Sequence, residues 1–124
     1  MKLSTYATIT AIVALLYGVG LLFIPAKFTE NYGVSMDAAG LLMTRLLGAL
    51  MTSQAILFWV NRNIPASEKA WNGILLASVF YNVANVVISL TAVLNNVVNS
   101  MGWSTVILSA IFALASSYFA FSKK

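Results

Sequence analysis

The chain has 124 residues, of which 60% are hydrophobic and only 8% are charged, and its formal net charge is +4. A soluble domain has about 25% charged residues, so this composition excludes an ordinary water-soluble domain. The absence of cysteine and histidine excludes disulfides, thiolate chemistry and metal or haem ligation by those residues. Apart from Arg45, the basic residues stand at the ends of apolar segments, which argues against nucleic acid as a partner.

Four apolar segments are long enough to cross about 30 Å of hydrocarbon as helices, which takes roughly 20 residues each. They extend over about residues 4–24, 38–60, 70–94 and 103–121. Helices are expected, because an open strand would leave backbone groups unpaired in lipid. The first segment is too long for a cleaved signal peptide. We therefore predict an all-α polytopic membrane protein whose residues 1–124 form a single domain, a bundle of four transmembrane helices.

The distribution of lysine and arginine predicts the orientation. With four spans, both termini and the second loop share one side of the membrane, and the other two loops share the opposite side. The first side carries Lys2, Arg62, Lys69, Lys123 and Lys124. The opposite side carries only Lys27 and is called here the charge-poor surface. Because basic loops remain in the cytoplasm, we predict that both termini are cytoplasmic, or face the equivalent compartment of an organelle.

The loops contain local signals for short elements and helix caps. Phe28 and Tyr32 are four residues apart in the first loop, which predicts a short interfacial helical turn before Gly33. Asp37 or Ser35 is a candidate N-cap for the second span. In the second loop, Ser67 is the expected N-cap of the third span.

The second span carries a small residue at every fourth position. These residues are Gly40, Thr44, Gly48 and Thr52. At about 3.6 residues per turn they form a ridge on one face of the helix. Because small residues let helix backbones approach closely in membranes, we predict that this ridge packs against a neighbouring span.

The third span carries a polar stripe. Its members, Ser78, Asn82, Asn85 and Ser89, share one face because they are four, three and four residues apart. An asparagine facing lipid is costly, so the stripe should face protein. It is consistent with two interpretations: hydrogen bonds that join helices, each worth roughly 0.6–2 kcal/mol, or the lining of a ligand or ion site.

Arg45 is the only ionisable side chain well inside an apolar segment. Counted from the start of its helix, it lies about eight residues, or roughly 12 Å, below the charge-poor surface. The same count places Tyr17, Asn85 and Ser89 at that depth. We therefore predict a ligand-binding cluster formed by Arg45, Tyr17, Asn82, Asn85 and Ser89.

Two roles are open for Arg45. An arginine facing lipid costs at least about 2.5 kcal/mol, so the side chain should turn inward or extend toward the surface. It can form a structural ion pair with Glu30 or Asp37, the nearest acidic residues in the first loop. Alternatively, its planar guanidinium can bind an anionic headgroup or a carboxylate with two parallel hydrogen bonds.

Catalytic constellations are missing from the sequence. There is no carboxylate inside a span, no nucleophile beside a base and no glycine-rich phosphate loop. We therefore expect no enzymatic activity, no cofactor and no metal site.

Several segments of the first half resemble one protein group. They are Leu22-Phe23-Ile24-Pro25-Ala26-Lys27-Phe28, Tyr32-Gly33, Asp37-Ala38-Ala39-Gly40 and Arg45-Leu46-Leu47-Gly48-Ala49. This pattern resembles small four-helix bacterial membrane proteins of the DoxX-like group, in which a proline turn ends the first helix and the second carries an arginine followed by glycine. The resemblance implies a four-helix bundle in a bacterial inner membrane, with Arg45 at a shared position. Some members are associated with quinone-linked sulfur oxidation, but this chain has no cysteine for such chemistry, so the resemblance does not imply that activity.

The sequence therefore favours a non-catalytic integral membrane protein. It would bind a lipid or another hydrophobic ligand near Arg45, or dock onto a larger membrane complex. One alternative is a small transporter or channel, formed by a homo-oligomer around the asparagine stripe. Another is an accessory subunit of a membrane redox enzyme that holds a quinone near Tyr17 and Arg45.

Overall fold

A computed structural model describes residues 2–122, which contain five α-helices and no strand. They are α1 (Leu3–Phe23), α2 (Pro25–Glu30), α3 (Ala38–Asn61), α4 (Ala70–Leu94) and α5 (Gly102–Phe121). All but α2 are long and apolar enough to cross a membrane. The prediction of an all-α protein with four such helices is confirmed, and the predicted ends differ from the observed ends by one residue at most. Lys123 and Lys124, which contribute to the charge count, lie outside the described residues.

The chain divides into two compact units, Met1–Asn63 and Ile64–Lys124. In the first unit α1 packs against α3, and the short α2 contacts both. In the second unit α4 packs against α5. These units are called here the N-terminal pair and the C-terminal pair.

Each long helix buries residues that are alternately three and four positions apart. In the N-terminal pair they include Leu3, Ala7, Thr10, Ala14 and Leu21 of α1 and Thr44, Gly48, Ala55 and Phe58 of α3. In the C-terminal pair they include Trp71, Leu75, Ser78 and Asn82 of α4 and Gly102, Val106, Ser109 and Ser116 of α5. An average spacing near 3.5 residues is the period of a coiled-coil seam, so each pair is joined along one narrow face. The exposed faces are rich in leucine, isoleucine and valine, as lipid-facing surfaces require.

The connection from α1 to α3 is shaped by Gly33. Gly33 has φ 72°, the left-handed conformation that a residue without Cβ adopts most readily. Its N–H donates to the Glu30 carbonyl at 2.9 Å, and the Val34 N–H donates to the Thr29 carbonyl at 3.2 Å. This is a Schellman motif, which satisfies the carbonyls at the end of α2. The predicted helical turn before Gly33 is confirmed as α2.

Helix α4 ends with the same motif, built on asparagine. Asn96 has φ 59°, its N–H donates to the Val93 carbonyl at 3.2 Å, and the Val97 N–H donates to the Ala92 carbonyl at 2.9 Å. Asparagine is the residue that most often replaces glycine at this position. The Asn95-Asn96 pair therefore ends the third span by a specific backbone conformation.

The predicted helix caps have different outcomes. Asp37 is the N-cap of α3, since its Oδ1 accepts the Gly40 N–H at 2.8 Å, and this prediction is confirmed. The prediction for Ser67 is wrong, because α4 begins after Lys69 without a side-chain cap. Residues 65–69 already turn: the Glu68 N–H donates to the Pro65 carbonyl at 3.0 Å. Lys69 is in helical conformation, whereas a capping side chain usually requires an extended residue.

Candidate functional site

Helices α1 and α3 meet backbone to backbone at Gly18 and Gly48. A Cβ added to Gly48 would lie 2.6 Å from the Leu22 nitrogen and 2.8 Å from the Gly18 oxygen. A Cβ added to Gly18 would lie 2.7 Å from the Thr52 nitrogen. Contacts this short with backbone atoms do not occur in real structures, so only glycine fits at either position.

The predicted ridge of four small residues divides into two parts. Gly48 and Thr52 lie at the crossing with α1. Gly40 lies instead beside the side chains of Met36 and Asp37, the residues that lead into α3. Thr44 is buried between these parts, and its hydroxyl lies 2.8 Å from the Gly40 carbonyl and 3.1 Å from the Met36 sulfur. The first turns of α3 therefore pack against the loop before them.

The same contacts define the register of this antiparallel pair. Gly18 lies opposite Thr52, and Leu22 lies opposite Gly48. Continuing this register places Arg45 opposite residues 24–25, where α1 ends and α2 begins. It places Tyr17 about two helical turns deeper, roughly 12 Å along the axis. The predicted common depth of Tyr17 and Arg45 assumed that α1 ends and α3 begins at the same level. The two residues differ in depth because α3 begins well beyond the end of α1.

Arg45 has no protein partner within residues 2–122. It is exposed, and it forms no hydrogen bond or ion pair with any described residue, Glu30 and Asp37 included. The side chains beside it on the helix are apolar and exposed; they are Leu42, Met43, Leu46 and Leu47. Because the Cα–Cβ bonds of a helix tilt toward its N-terminus, the side chains of α3, that of Arg45 included, start out leaning toward the charge-poor surface, where α3 begins.

Tyr17 belongs to an aromatic cluster with Phe28 and Tyr32, called here the aromatic corner. The Tyr17 and Phe28 rings meet edge to face at 5.6 Å, and the Phe28 and Tyr32 rings stack at 6.1 Å. The side chains of Tyr17 and Tyr32 are hydrogen-bonded to each other. The Phe28 ring lies directly on Gly20, where an added Cβ would be 2.7 Å from it. The corner fixes α2 against α1, so Tyr17 has a structural role here.

The polar stripe on α4 also divides into two parts. Ser78 and Asn82 are buried. The Asn82 Nδ2 donates to the Ser78 carbonyl at 2.8 Å and lies 3.4 Å from the Ser78 hydroxyl. Asn85 and Ser89 are half-buried and form no hydrogen bond with any residue that the structure describes. Within the stripe, Asn82 is therefore hydrogen-bonded to Ser78, whereas Asn85 and Ser89 have no hydrogen-bond partner among residues 2–122.

Two contacts near the second loop follow no predicted pattern. The Arg62 guanidinium stacks on the Trp59 ring, 3.9 Å from its centroid. Trp71 is fully buried at the start of α4, and its ring N–H donates to the Ile64 carbonyl at 3.1 Å. The first contact has a local signal, since residues three apart on a helix are neighbours. The second depends on how the loop folds back, which the sequence does not reveal.

Residues suited to holding a metal do not cluster. Among residues 2–122, no group of three or more acidic, cysteine or histidine side chains lies close enough to bind one. Of the residues predicted to bind a ligand, Arg45, Asn85 and Ser89 are those without a hydrogen-bond partner among residues 2–122.

Comparison with known proteins leaves the family open. No protein-family model, curated protein or solved structure matches the chain at a significant level. The resemblance to the DoxX-like group therefore stays a prediction.

Proposed function

We propose that this protein is a non-catalytic, multi-pass membrane protein that binds the phosphate-bearing headgroup of a lipid through Arg45. The observation that supports this function is the exposed guanidinium, which has no partner among residues 2–122 and lies on an otherwise apolar surface. A cation in such surroundings is stable only when water or an anion reaches it.

The level of Arg45 supports a headgroup as the anion. The register of the N-terminal pair places it opposite the junction of α1 and α2. The segment that follows this junction carries Lys27 and the aromatic side chains Phe28 and Tyr32, and such residues are common at the boundary between hydrocarbon and headgroups. An arginine at that level reaches the lipid phosphates when its long side chain extends toward the surface.

The chemistry of the side chain favours phosphate. A guanidinium presents parallel N–H groups that match two oxygens of a phosphate or carboxylate, and it remains charged at any physiological pH. Its apolar neighbours on α3 would at the same time contact acyl chains. A membrane phospholipid provides both parts, and an acidic phospholipid adds a net negative charge.

The site would then belong to one leaflet. The distribution of lysine and arginine predicts cytoplasmic termini, so the proposed site would face the opposite leaflet, which is the outer one if the protein lies in a bacterial inner membrane. Single-cysteine variants can test this orientation, because the chain contains no cysteine. A membrane-impermeant maleimide applied outside should label Ser35→Cys and not Ser67→Cys; the reverse result would contradict the orientation.

Lipid retention tests the proposed function. The wild-type chain and its Arg45→Gln variant would be delipidated, titrated with phosphatidylglycerol and analysed by native mass spectrometry. We expect the affinity of the variant for this lipid to be at least roughly tenfold lower, because it loses charge-assisted hydrogen bonds worth about 1.5–3 kcal/mol. A parallel titration with phosphatidylcholine, which has a phosphate but no net charge, measures how much of the binding is independent of the lipid's net charge.

Arg62→Gln is the matched control, because it removes the other arginine, which stacks on Trp59 near the opposite surface. We expect it to retain phosphatidylglycerol like the wild type. Equal retention by all three proteins would overturn the role of Arg45. A different molecule retained only when Arg45 is present would keep the site and change its ligand.

A further inference from the structure

We propose that Met36 is a site of oxidation by hydrogen peroxide, and that conversion of its thioether to the sulfoxide loosens the first turns of α3. This inference concerns the N-terminal pair alone and does not depend on lipid binding at Arg45.

Met36 stands directly before the N-cap of α3. Asp37 caps the helix by accepting the Gly40 N–H at 2.8 Å, and Met36 is the residue that precedes it. An apolar side chain at this position often packs back onto the start of the helix, an arrangement known as a hydrophobic staple, and so fixes the angle at which the chain enters. The sequence position of Met36 is therefore that of a staple.

The side chain of Met36 lies along the first two turns of α3. A Cβ added to Gly40 would be 3.1 Å from the Met36 Cβ and 3.3 Å from its Cγ, so the methionine covers the glycine closely. One turn further along the helix, the Thr44 hydroxyl donates to the Met36 sulfur at 3.1 Å. Thr44 is itself buried. The thioether sulfur is thus the atom by which the staple contacts the buried face of α3.

Met36 is also accessible to a small oxidant. Its side chain is 37% exposed, and residues 34–37 join the turn at Gly33 to α3 without helical structure. Hydrogen peroxide oxidises such a thioether: a sulfur lone pair attacks one peroxide oxygen, the S–O bond forms as the O–O bond breaks, and the other oxygen leaves as water with both protons. The sulfur loses the two electrons that the peroxide gains. Methionine sulfoxide reductases reverse this modification.

The sulfoxide would not fit the contact that the thioether makes. Oxidation turns a flexible apolar side chain into a polar, chiral one, which disrupts apolar contacts. The sulfur lies only 3.1 Å from the Thr44 oxygen, so a further oxygen atom has no room between them. The side chain must therefore turn away from Gly40 and Thr44, and the first turns of α3 lose their cover.

Amide hydrogen exchange before and after peroxide treatment tests the proposal. The wild type and Met36→Leu would be reconstituted in phosphatidylcholine vesicles, with circular dichroism as the check on folding. Leucine has nearly the volume of methionine but no sulfur, so the variant should keep the staple and resist peroxide. We expect peroxide to accelerate exchange of residues 41–45 at least about fivefold in the wild type, because the helix start opens more often, and to leave it unchanged in Met36→Leu.

Met101→Leu is the matched control, because Met101 also precedes a long helix directly and is 49% exposed. This variant retains Met36, so we expect it to respond to peroxide like the wild type. Mass spectrometry of peptides from the same samples measures the oxidation of each methionine. Three results would overturn the proposal: a Met36 that stays reduced while Met101 is oxidised, an oxidised Met36 with unchanged exchange of residues 41–45, or an equal acceleration in Met36→Leu.

Discussion

The two helix pairs solve the same packing problem by different means. In the N-terminal pair, Gly18 and Gly48 remove side chains altogether, and the backbones of α1 and α3 touch. In the C-terminal pair, the seam retains side chains, many of them polar, such as Ser78, Asn82 and Ser116. The first seam depends on steric fit, whereas the second depends on whether each polar group finds a hydrogen bond.

The difference shows where tolerance to change should lie. A steric contact between two backbones cannot relax, because neither helix can move aside without losing the rest of its seam. A polar seam can lose one hydroxyl at little cost when that hydroxyl bonds only to its own helix. The Ser116 hydroxyl, for example, donates to the Phe112 carbonyl one turn earlier. Substitutions in the two pairs should therefore differ in the size of their effects.

The largest effect is expected for Gly48→Leu. Its Cβ would clash with backbone atoms of Leu22 and Gly18, so α1 and α3 must separate. We expect the free energy of unfolding to fall by about 3 kcal/mol or more, which is the upper end for overpacked sites. Thermal melting in detergent measures this loss of stability. Gly73→Leu is the control, because no atom lies within 4 Å of its added Cβ. Equal melting of Gly48→Leu and wild type would refute the backbone contact.

A smaller effect is expected for Asn82→Ala in the polar seam. The change removes a buried side chain and its hydrogen bond to the Ser78 carbonyl. We expect the free energy of unfolding to fall by about 2 kcal/mol, because the variant has both a cavity and one hydrogen bond fewer. Denaturant titration followed by circular dichroism measures it. A loss as large as that of Gly48→Leu would show that the two seams do not differ in tolerance.

Thr10→Val should stabilise the N-terminal pair. The Thr10 hydroxyl is the one buried side-chain oxygen among residues 2–122 without a hydrogen-bond partner. Valine has nearly the same shape and removes this unpaired group, so we expect a gain of about 1 kcal/mol. Ser116→Ala, which removes a satisfied hydroxyl, should produce no such gain. A Thr10→Val protein that melts below the wild type would indicate a partner for this hydroxyl.

The smallest effects are expected at the residues of left-handed backbone conformation that follow α2 in the N-terminal pair and α4 in the C-terminal pair. Gly33→Ala adds a Cβ at φ 72° and should cost about 1 kcal/mol, whereas Asn96→Gly at φ 59° should be neutral or slightly stabilising. Amide hydrogen exchange of residues 29–34 and 92–97 reports each change locally. Faster exchange around Asn96→Gly would show that the asparagine side chain contributes more than its backbone conformation.

Sequence patterns predicted the spans because apolar length alone decides whether a helix can cross a membrane. Asp37 was predictable as a cap, since its signal is local. The relative depth of Tyr17 and Arg45 could not be predicted from the sequence, because it depends on the register between α1 and α3 that the contact of Gly18 with Gly48 sets. The position of Phe28 on Gly20 depends likewise on how α2 folds back. For the polar stripe, spacing identified the shared face, but only packing decides that Asn82 is satisfied and Asn85 is open.

The contact between Arg45 and a lipid phosphate can be measured directly by solid-state NMR. Arg62→Lys leaves Arg45 as the single arginine, so uniform ¹³C-arginine labelling places the only guanidinium signal on that residue. In bilayers containing phosphatidylglycerol, we expect ¹³Cζ–³¹P dephasing that corresponds to a separation of roughly 4–5 Å, the distance of a hydrogen-bonded guanidinium and phosphate. A guanidinium signal that shows no dephasing by phosphorus would contradict headgroup binding at Arg45.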